Sequence, residues 1–295
     1  MSTTTKIDIG AAQRFIYADA RLLERHRLAV LSGDAAAGRV LDALRPYRND
    51  DGGWGHALEP DLRGPDSQVS SALSALEVLA ELGTDAAPEV MRLVTETADW
   101  LASVALPDGR VPQVLPSAAD HPAAPWMQPN DNGFLTFATA ARLWEVRAHH
   151  PWLDAATTWC WGQLDGETPV GGYAVLFALG FLDAVPEPGR AAEAVERLRP
   201  ALSDDGTIAV EGGQDDERLR PLDLSPRPGA PSRALFSEAQ ISAELDRLEQ
   251  EQLDDGGWDF DFLHWSPGQT VEWRGIVTLG ALRTLRQHGR LPQLP

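Results

Sequence analysis

The string Asp-Asp-Gly-Gly-Trp occurs twice in this chain, at residues 50–54 and again at 254–258. A repeat of that kind constrains the fold before any other feature is read, because each copy stands between two helix-like stretches. SALSALEVLAELG, ending at Gly83, follows the first copy, and IVTLGALRTLRQHG, ending at Gly289, follows the second. Shorter echoes of the turn lie at Asp108-Gly109, Asp165-Gly166 and Asp205-Gly206. Five Asp-Gly steps at a spacing of about fifty residues match the length of a helical hairpin. Asp-Gly supplies the backbone that ends a helix, and a nearby tryptophan can pack over that end.

Segments before the turns, such as 89–105 and 191–202, have amphipathic spacing. Segments after them, such as 134–148 and 173–184, are richer in small and apolar residues. The asymmetry predicts an outer row of amphipathic helices around an inner, more buried row. The expectation is an all-α fold, an α/α toroid of about six hairpins, forming a single domain over residues 1–295. A helix over 9–31, with no turn motif before it, is expected to close the ring; an open solenoid is the competing arrangement. Two stretches break the pattern: Pro-rich 111–130, and 211–233, which is rich in Pro, Gly and Asp. Both are expected as loops, either pocket walls or plain surface insertions.

Composition narrows the function classes. Basic residues number 25 against 44 acidic ones, a net charge of −19. That balance argues against nucleic-acid backbones and anionic membrane surfaces as partners, since both need clustered Lys and Arg. One cysteine, Cys160, leaves no internal disulfide and no Cys-rich zinc site, and its place between Trp159 and Trp161 predicts a buried, inert thiol. The seven histidines form no ligand-spaced pair, so no metal is expected. There is no phosphate-binding Gly-rich loop, so no cofactor is expected either. The longest apolar stretch is too short to span a bilayer, and the amino-terminal residues lack a secretory pattern; integral membrane association is not expected, and the expected location is cytoplasmic.

Gln252-Leu-Asp-Asp-Gly-Gly-Trp258 resembles the repeat signature of the squalene and terpenoid cyclases, a turn that the β subunits of protein prenyltransferases share. At the first copy Arg48 stands where that glutamine would fall. The resemblance implies the α/α toroid, with a small-molecule substrate, isoprenoids among the candidates, held in its lumen. It does not carry the family's acids across: Asp259-Phe-Asp261-Phe262 lacks the final aspartate of the Asp-x-Asp-Asp motif, and Asp215-Asp216-Glu217 is only a faint echo of the metal-binding acid motif.

In such a fold, residues between a turn and the following inner helix line one mouth of the lumen. After the first turn that stretch holds His56, Glu59, Asp61 and Arg63, stiffened by Pro60 and Pro65. Glu59 and Asp61 are candidate acids that could share a proton, with His56 and Arg63 as substrate-binding neighbours. Asp66 reads rather as a helix cap. The equivalent stretch after the last turn holds Asp259 and Asp261 as further candidate acids, with Trp265, Glu272, Trp273 and Arg274 as candidate binding residues. Trp265 and Trp273 are either a wall for a cation or flat ligand, or core tryptophans beside a Glu272–Arg274 surface pair. Trp126, Asp131 and Tyr173 are candidate binding groups from the middle repeats, with Asp131 open to a capping role. These residues suit a cofactor-independent acid–base enzyme (a cyclase, isomerase or lyase) acting on a small apolar or polycyclic molecule. The alternative is a non-catalytic toroid that binds a ligand or another protein.

Overall fold

The computed structural model describes residues 7–83, 87–166, 171–215 and 217–291. The fold is all-α: twelve α-helices among the described residues, and a single pair of two-residue strands, β1 (Ile208–Ala209) and β2 (Arg218–Leu219). No described helix is long and apolar enough to cross a membrane. The helices are α1 (Ile9–Asp19), α2 (Leu22–Ser32), α3 (Gly38–Leu44), α4 (Val69–Leu82), α5 (Pro88–Val104) and α6 (Phe134–Glu145). They continue as α7 (Pro151–Asp165), α8 (Gly172–Leu182), α9 (Pro188–Leu198), α10 (Pro221–Leu224), α11 (Glu238–Gln250) and α12 (Pro267–Gln287).

The chain divides into two compact units, Leu44–Ala201 and a second made from both chain ends, Met1–Ala43 with Leu202–Pro295. In the contiguous unit α4, α6 and α8 pack side by side in one row, and each packs on the helix that follows it, α5, α7 and α9. This is the two-row α/α arrangement expected from the hairpin pattern. The rows differ in kind, as the sequence periodicity predicts. α6 and α8 bury Phe137, Ala140, Ala141, Val175, Ala178 and Phe181, whereas α9 buries one stripe only, Ala191, Ala194, Val195 and Leu198. In the second unit α1, α2 and α12 pack on one another, and α11 packs on α10 and α12.

The stretch 9–31 is two helices rather than one. The break falls at Ala20 and Arg21, both extended, and α2 then ends on Gly33 with φ +84°. Glu24 explains part of the break: it is wholly buried, and Arg21, just ahead of α2, grips it through Nε at 2.8 Å and Nη2 at 2.9 Å. A buried carboxylate needs such partners, and Arg27 supplies another at 3.3 Å. The segment 211–233 is also more ordered than a loop, since it contains β2, α10 and the start of a short helical turn at Pro231–Leu235.

Four of the five Asp-Gly steps form one and the same turn. Asp51, Asp108, Asp205 and Asp255 each accept a hydrogen bond from the backbone N–H two residues on, at 2.9–3.2 Å. In each, a pair of backbone bonds closes a five-residue loop, as with Leu253 N to Gly257 O at 2.9 Å and Gly256 N to Leu253 O at 2.8 Å. The glycine after the aspartate has φ between +83° and +92°, which side chains rarely tolerate. At Gly256 a second constraint applies: a Cβ would lie 2.3 Å from the Ala11 carbonyl carbon. The backbone N–H and hydroxyl of Thr207 hold the Asp205 carboxyl below the usual carboxylate range. Asp165-Gly166 is the exception: Asp165 ends α7, and Gly166 has φ −88°.

The tryptophan of the repeat is the core of its unit. Trp54 is fully buried and donates through Nε1 to Thr97 Oγ1 at 2.9 Å; Trp258 is nearly so and donates to the Leu248 carbonyl at 2.8 Å. The repeat's glutamine ties the last turn to the start of the chain. Gln252 accepts from Asp8 N at 2.9 Å and donates through Nε2 to Asp8 O at 2.9 Å and Gly256 O at 3.0 Å. At the first copy, Arg48 makes an ion pair with Glu96 of α5 instead, at 2.6 Å. Gln252→Ala removes all three bonds and should cost about 1–2 kcal/mol; faster amide exchange confined to the first turn of α1 and residues 252–257 is the expected signature.

Candidate functional site

The expected acids fall in two places, one in each unit. In the contiguous unit, the loop 49–68 is laced to the loop 111–132. Residues 61–63 run antiparallel to 122–124: Arg63 N donates to Pro122 O at 2.9 Å, and Ala124 N to Asp61 O at 2.7 Å. Gln68, 1% exposed, bridges both loops, donating to Ser117 Oγ and accepting from Leu115 N, each at 2.9 Å. His121 Nε2 lies 2.9 Å from Asp66 Oδ2, and the approach requires Gly64, where a Cβ would meet the His121 ring at 2.4 Å. Asp66 is thus a histidine partner and not the cap of α4; that N-cap is Gln68, with no side-chain capping bond.

This lacing buries both candidate acids. Glu59 is 8% exposed and Asp61 5%, and Trp126 donates its indole Nε1–H to Asp61 Oδ2 at 3.1 Å. The Trp126 residue itself is 41% exposed, so the carboxyl is covered by a ring that is open to solvent on its other side. His56 lies nearby in sequence at φ +56°, followed by Ala57 at +59°. Two consecutive non-glycine residues in that region carry backbone strain of the sort that clusters at functional sites. His56 Nε2 is 2.8 Å from Asn49 Oδ1. Since an amide oxygen only accepts, that contact places the proton on Nε2. Asn49 in turn donates to Pro65 O and Ser67 Oγ, both at 2.9 Å, so one amide holds the loop shut and orients the imidazole.

Other expected binding residues have different surroundings. Asp131 is exposed and meets Arg110, whose Nε donates to the Asp131 carbonyl at 3.0 Å; Asn132, not Asp131, accepts from Phe134 N at the start of α6. Tyr173 is 38% exposed in the first turn of α8, its ring 6.1 Å from that of Phe177. Arg63 is half-buried in the laced loop. Cys160 is fully buried, and burial pushes its thiol well above the ordinary range, as befits an inert core sulfur.

In the second unit, Asp259 and Asp261 are exposed on the loop between α11 and α12, within a run of aromatic rings. Phe260 stacks on His264 at 4.1 Å and lies 4.2 Å from Phe262, which meets Trp273 edge-on at 5.3 Å. Asp259 Oδ1 accepts from Phe260 N at 3.0 Å and lies 3.6 Å from His264 Nε2. Trp273 therefore belongs to an aromatic cluster, while Trp265 and Glu272 are half-buried beside it in the chain. Arg274 is committed elsewhere: it forms two bonds to Asp255, at 2.8 and 2.9 Å, and lies over the Phe15 ring at 4.6 Å. It braces the repeat turn, and its acid is Asp255, not the Glu272 considered from the sequence. Of the acid string at 215–217, Glu217 is buried and accepts from Gln214 N at 3.0 Å, and Asp216 is outside the described residues.

Sequence reasoning missed one strongly perturbed carboxyl. Asp223 is the third residue of α10, where its Oδ2 accepts from Arg220 N at 2.8 Å. It is open to solvent, yet the protein around it pushes its carboxyl up to about 6 from an ordinary value of 3.8. Burial is the largest influence; Asp261 and Glu244 add to the rise, against the Arg220 N–H and Arg247. The available signal was Pro221 two residues ahead, a helix-start pattern in a helix too short to show periodicity. The native state takes up this proton at higher pH than the unfolded chain does. Its contribution to stability is therefore present below about pH 4 and lost as pH rises through about 6. Asp223→Asn should flatten that part of a melting-temperature profile and leave the variant the more stable protein at pH 8; an unchanged profile would show that Asp223 titrates normally.

Among the described residues, no group of three or more His, Cys, Asp or Glu side chains is arranged to hold a metal ion. No protein-family model matches the chain, and no curated protein is similar to it in sequence. Solved structures are similar in fold. A crystal structure of a protein from Actinoplanes aligns over 95% of this chain and 89% of its own, with 19% identity and a TM-score of 0.52, and shares the fold. A type II terpene cyclase from Scytonema, MstE, in complex with geranylgeranyl dihydroxybenzoate, aligns over 95% of this chain and 87% of its own, with 13% identity and a TM-score of 0.49.

Proposed function

We propose that this terpenoid-cyclase-like protein is an acid–base enzyme working without a cofactor on a small, largely apolar or polycyclic molecule, by isomerisation, cyclisation or elimination. The observation that carries this reading is Asp61: a carboxyl 5% exposed, held by the indole of Trp126, two residues from a second buried carboxyl. Burying ionisable carboxyls costs free energy, and a fold that needed only a rigid loop could obtain it from Gln68 and the backbone bonds of 61–63 alone. A pair of buried acids permits one to hold a proton while the other stays ionised, which is what donating and accepting at one substrate requires. The half-exposed ring of Trp126 offers an apolar surface next to them. His56, held as the Nε2–H tautomer, and Arg63 are the polar groups suited to orient a substrate there.

The direct test is to incubate the full chain in D2O with geranyl, farnesyl and geranylgeranyl diphosphates and with squalene, and to follow products by mass spectrometry. A product isomeric with its substrate, or lacking diphosphate, and carrying deuterium at carbon is expected for at least one probe. Absence of both conversion and binding across the panel would favour the non-catalytic reading.

A further inference from the structure

We propose that Arg142 anchors the head group of a ligand bound along one stripe of α8, and that this ligand is an apolar molecule carrying a single carboxylate. The inference rests on the acid–base reading above and deepens it by naming the class of substrate. Every residue of α8 is apolar, aromatic or glycine, and seven of them are buried. The remaining four share one face, at spacings of three, four and seven residues. Tyr173 is 38% exposed, and Leu176, Phe177 and Gly180 are half-buried. From Tyr173 to Gly180 this face runs about 10 Å along the helix. The rings of Tyr173 and Phe177 lie 6.1 Å apart on it, so one end of the stripe is aromatic.

The other end meets a cation. Arg142, in the last turn of α6, reaches across to α8. A Cβ built on Gly180 would lie 3.8 Å from Arg142 Nη2 and would meet no other group outside its own helix within 4 Å. Gly180 therefore leaves an opening beside the guanidinium. Glu145 Oε2 pairs with Nη1 at 3.1 Å. That contact leaves the opposite edge, Nε and Nη2, and Nε is buried with no hydrogen-bond partner among the described residues. An orphaned buried donor costs free energy and calls for an acceptor. A guanidinium edge of two parallel N–H groups matches the two oxygens of a carboxylate. Charge chooses among the anions. Arg142 already balances Glu145, so it suits a singly charged head, whereas a diphosphate would bring several negative charges beside that carboxylate. The apolar body of the ligand then lies along Phe177 and Tyr173, with its carboxylate over Gly180.

The probe is cis-parinaric acid, an apolar chain ending in a carboxylate, whose emission rises in apolar surroundings; its methyl ester is the uncharged control. Titrated into the full chain at pH 7.5, the acid should bind at least about tenfold tighter than the ester, as a hydrogen bond to a charged group allows. Arg142→Gln should remove that difference and leave acid and ester alike. Gly180→Leu fills the opening and should weaken both probes at least about tenfold. This second variant leaves the ion pair alone, and leucine favours a helix over glycine, so the fold survives it. Equal affinity for acid and ester in the unaltered chain would leave Nε to water and overturn the assignment, as would an acid preference that persists in Arg142→Gln. Binding of neither probe overturns it too, and a chain that then sediments as a dimer gives the stripe to a second copy. An Arg142-dependent acid preference without turnover keeps the site and counts against the acid–base reading; turnover without that preference does the reverse.

Discussion

Asp61→Asn should lower turnover by about 10²–10⁴-fold on whichever panel substrate the protein converts, while the fold survives. The two side chains are nearly isosteric, and an amide oxygen can still accept the Trp126 indole hydrogen bond, so the loop and the ring keep their positions. What disappears is the ability to carry or receive a proton and the negative charge. The loss should therefore lie in kcat with KM little changed, since substrate binding draws on the surface of Trp126 rather than on the carboxyl. Far-ultraviolet circular dichroism and tryptophan emission should match those of the unaltered chain. Unchanged kcat in such a folded variant would take Asp61 out of the mechanism and leave its burial as a purely structural matter.

A second large effect is expected at the repeat itself. Trp54→Ala should destabilise the contiguous unit by about 3–5 kcal/mol, the usual cost of emptying a core tryptophan site. At the size of this unit that is a fall of roughly 10 °C or more in melting temperature. Two terms add. The indole is completely buried, so its removal leaves a cavity under the loop that carries Glu59 and Asp61. Its N–H also satisfies the buried Thr97 hydroxyl, which donates onward to the Leu93 carbonyl at 2.8 Å inside α5. Trp54→Phe retains most of the volume and should cost less than half as much. Denaturant titration separates the cases, and near-equal stabilities for the alanine and phenylalanine variants would show that the hydrogen bond, not the packing, carries the site.

Helical class and the pairing of α4 to α9 into hairpins were legible because they rest on local physics. An Asp-Gly step needs only its own backbone to stop a helix, and amphipathic spacing needs only one face to bury, so α5 and α9 fall close to their expected limits. The helix break at Ala20 and Arg21 was not legible, since it depends on a carboxylate, Glu24, whose burial no periodicity reveals. α10 was hidden for a different reason: four residues inside a Pro- and Gly-rich stretch carry no repeat signal, and with them Asp223 went unnoticed. Around the candidate sites, composition indicated which groups crowd together in sequence but not which of them meet. Glu59 and Asp61 are buried as a catalytic reading wants. Arg274, by contrast, is spent on Asp255, and Asp66 on His121, because those partners come from segments 19 and 55 residues away.

The bond between Gln252 and Asp8 has a consequence for how the protein is made. Those residues are 244 positions apart, so the turn at 253–257 and the start of α1 complete each other only across nearly the whole chain. A ribosome delivers Asp8 well ahead of Gln252, 244 residues earlier. The contiguous unit has all its residues in hand once Ala201 has emerged and can fold during synthesis. The first two helices must wait, with their apolar faces uncovered, until α12 arrives to cover them. The amino-terminal forty residues are therefore where a chaperone would be needed longest.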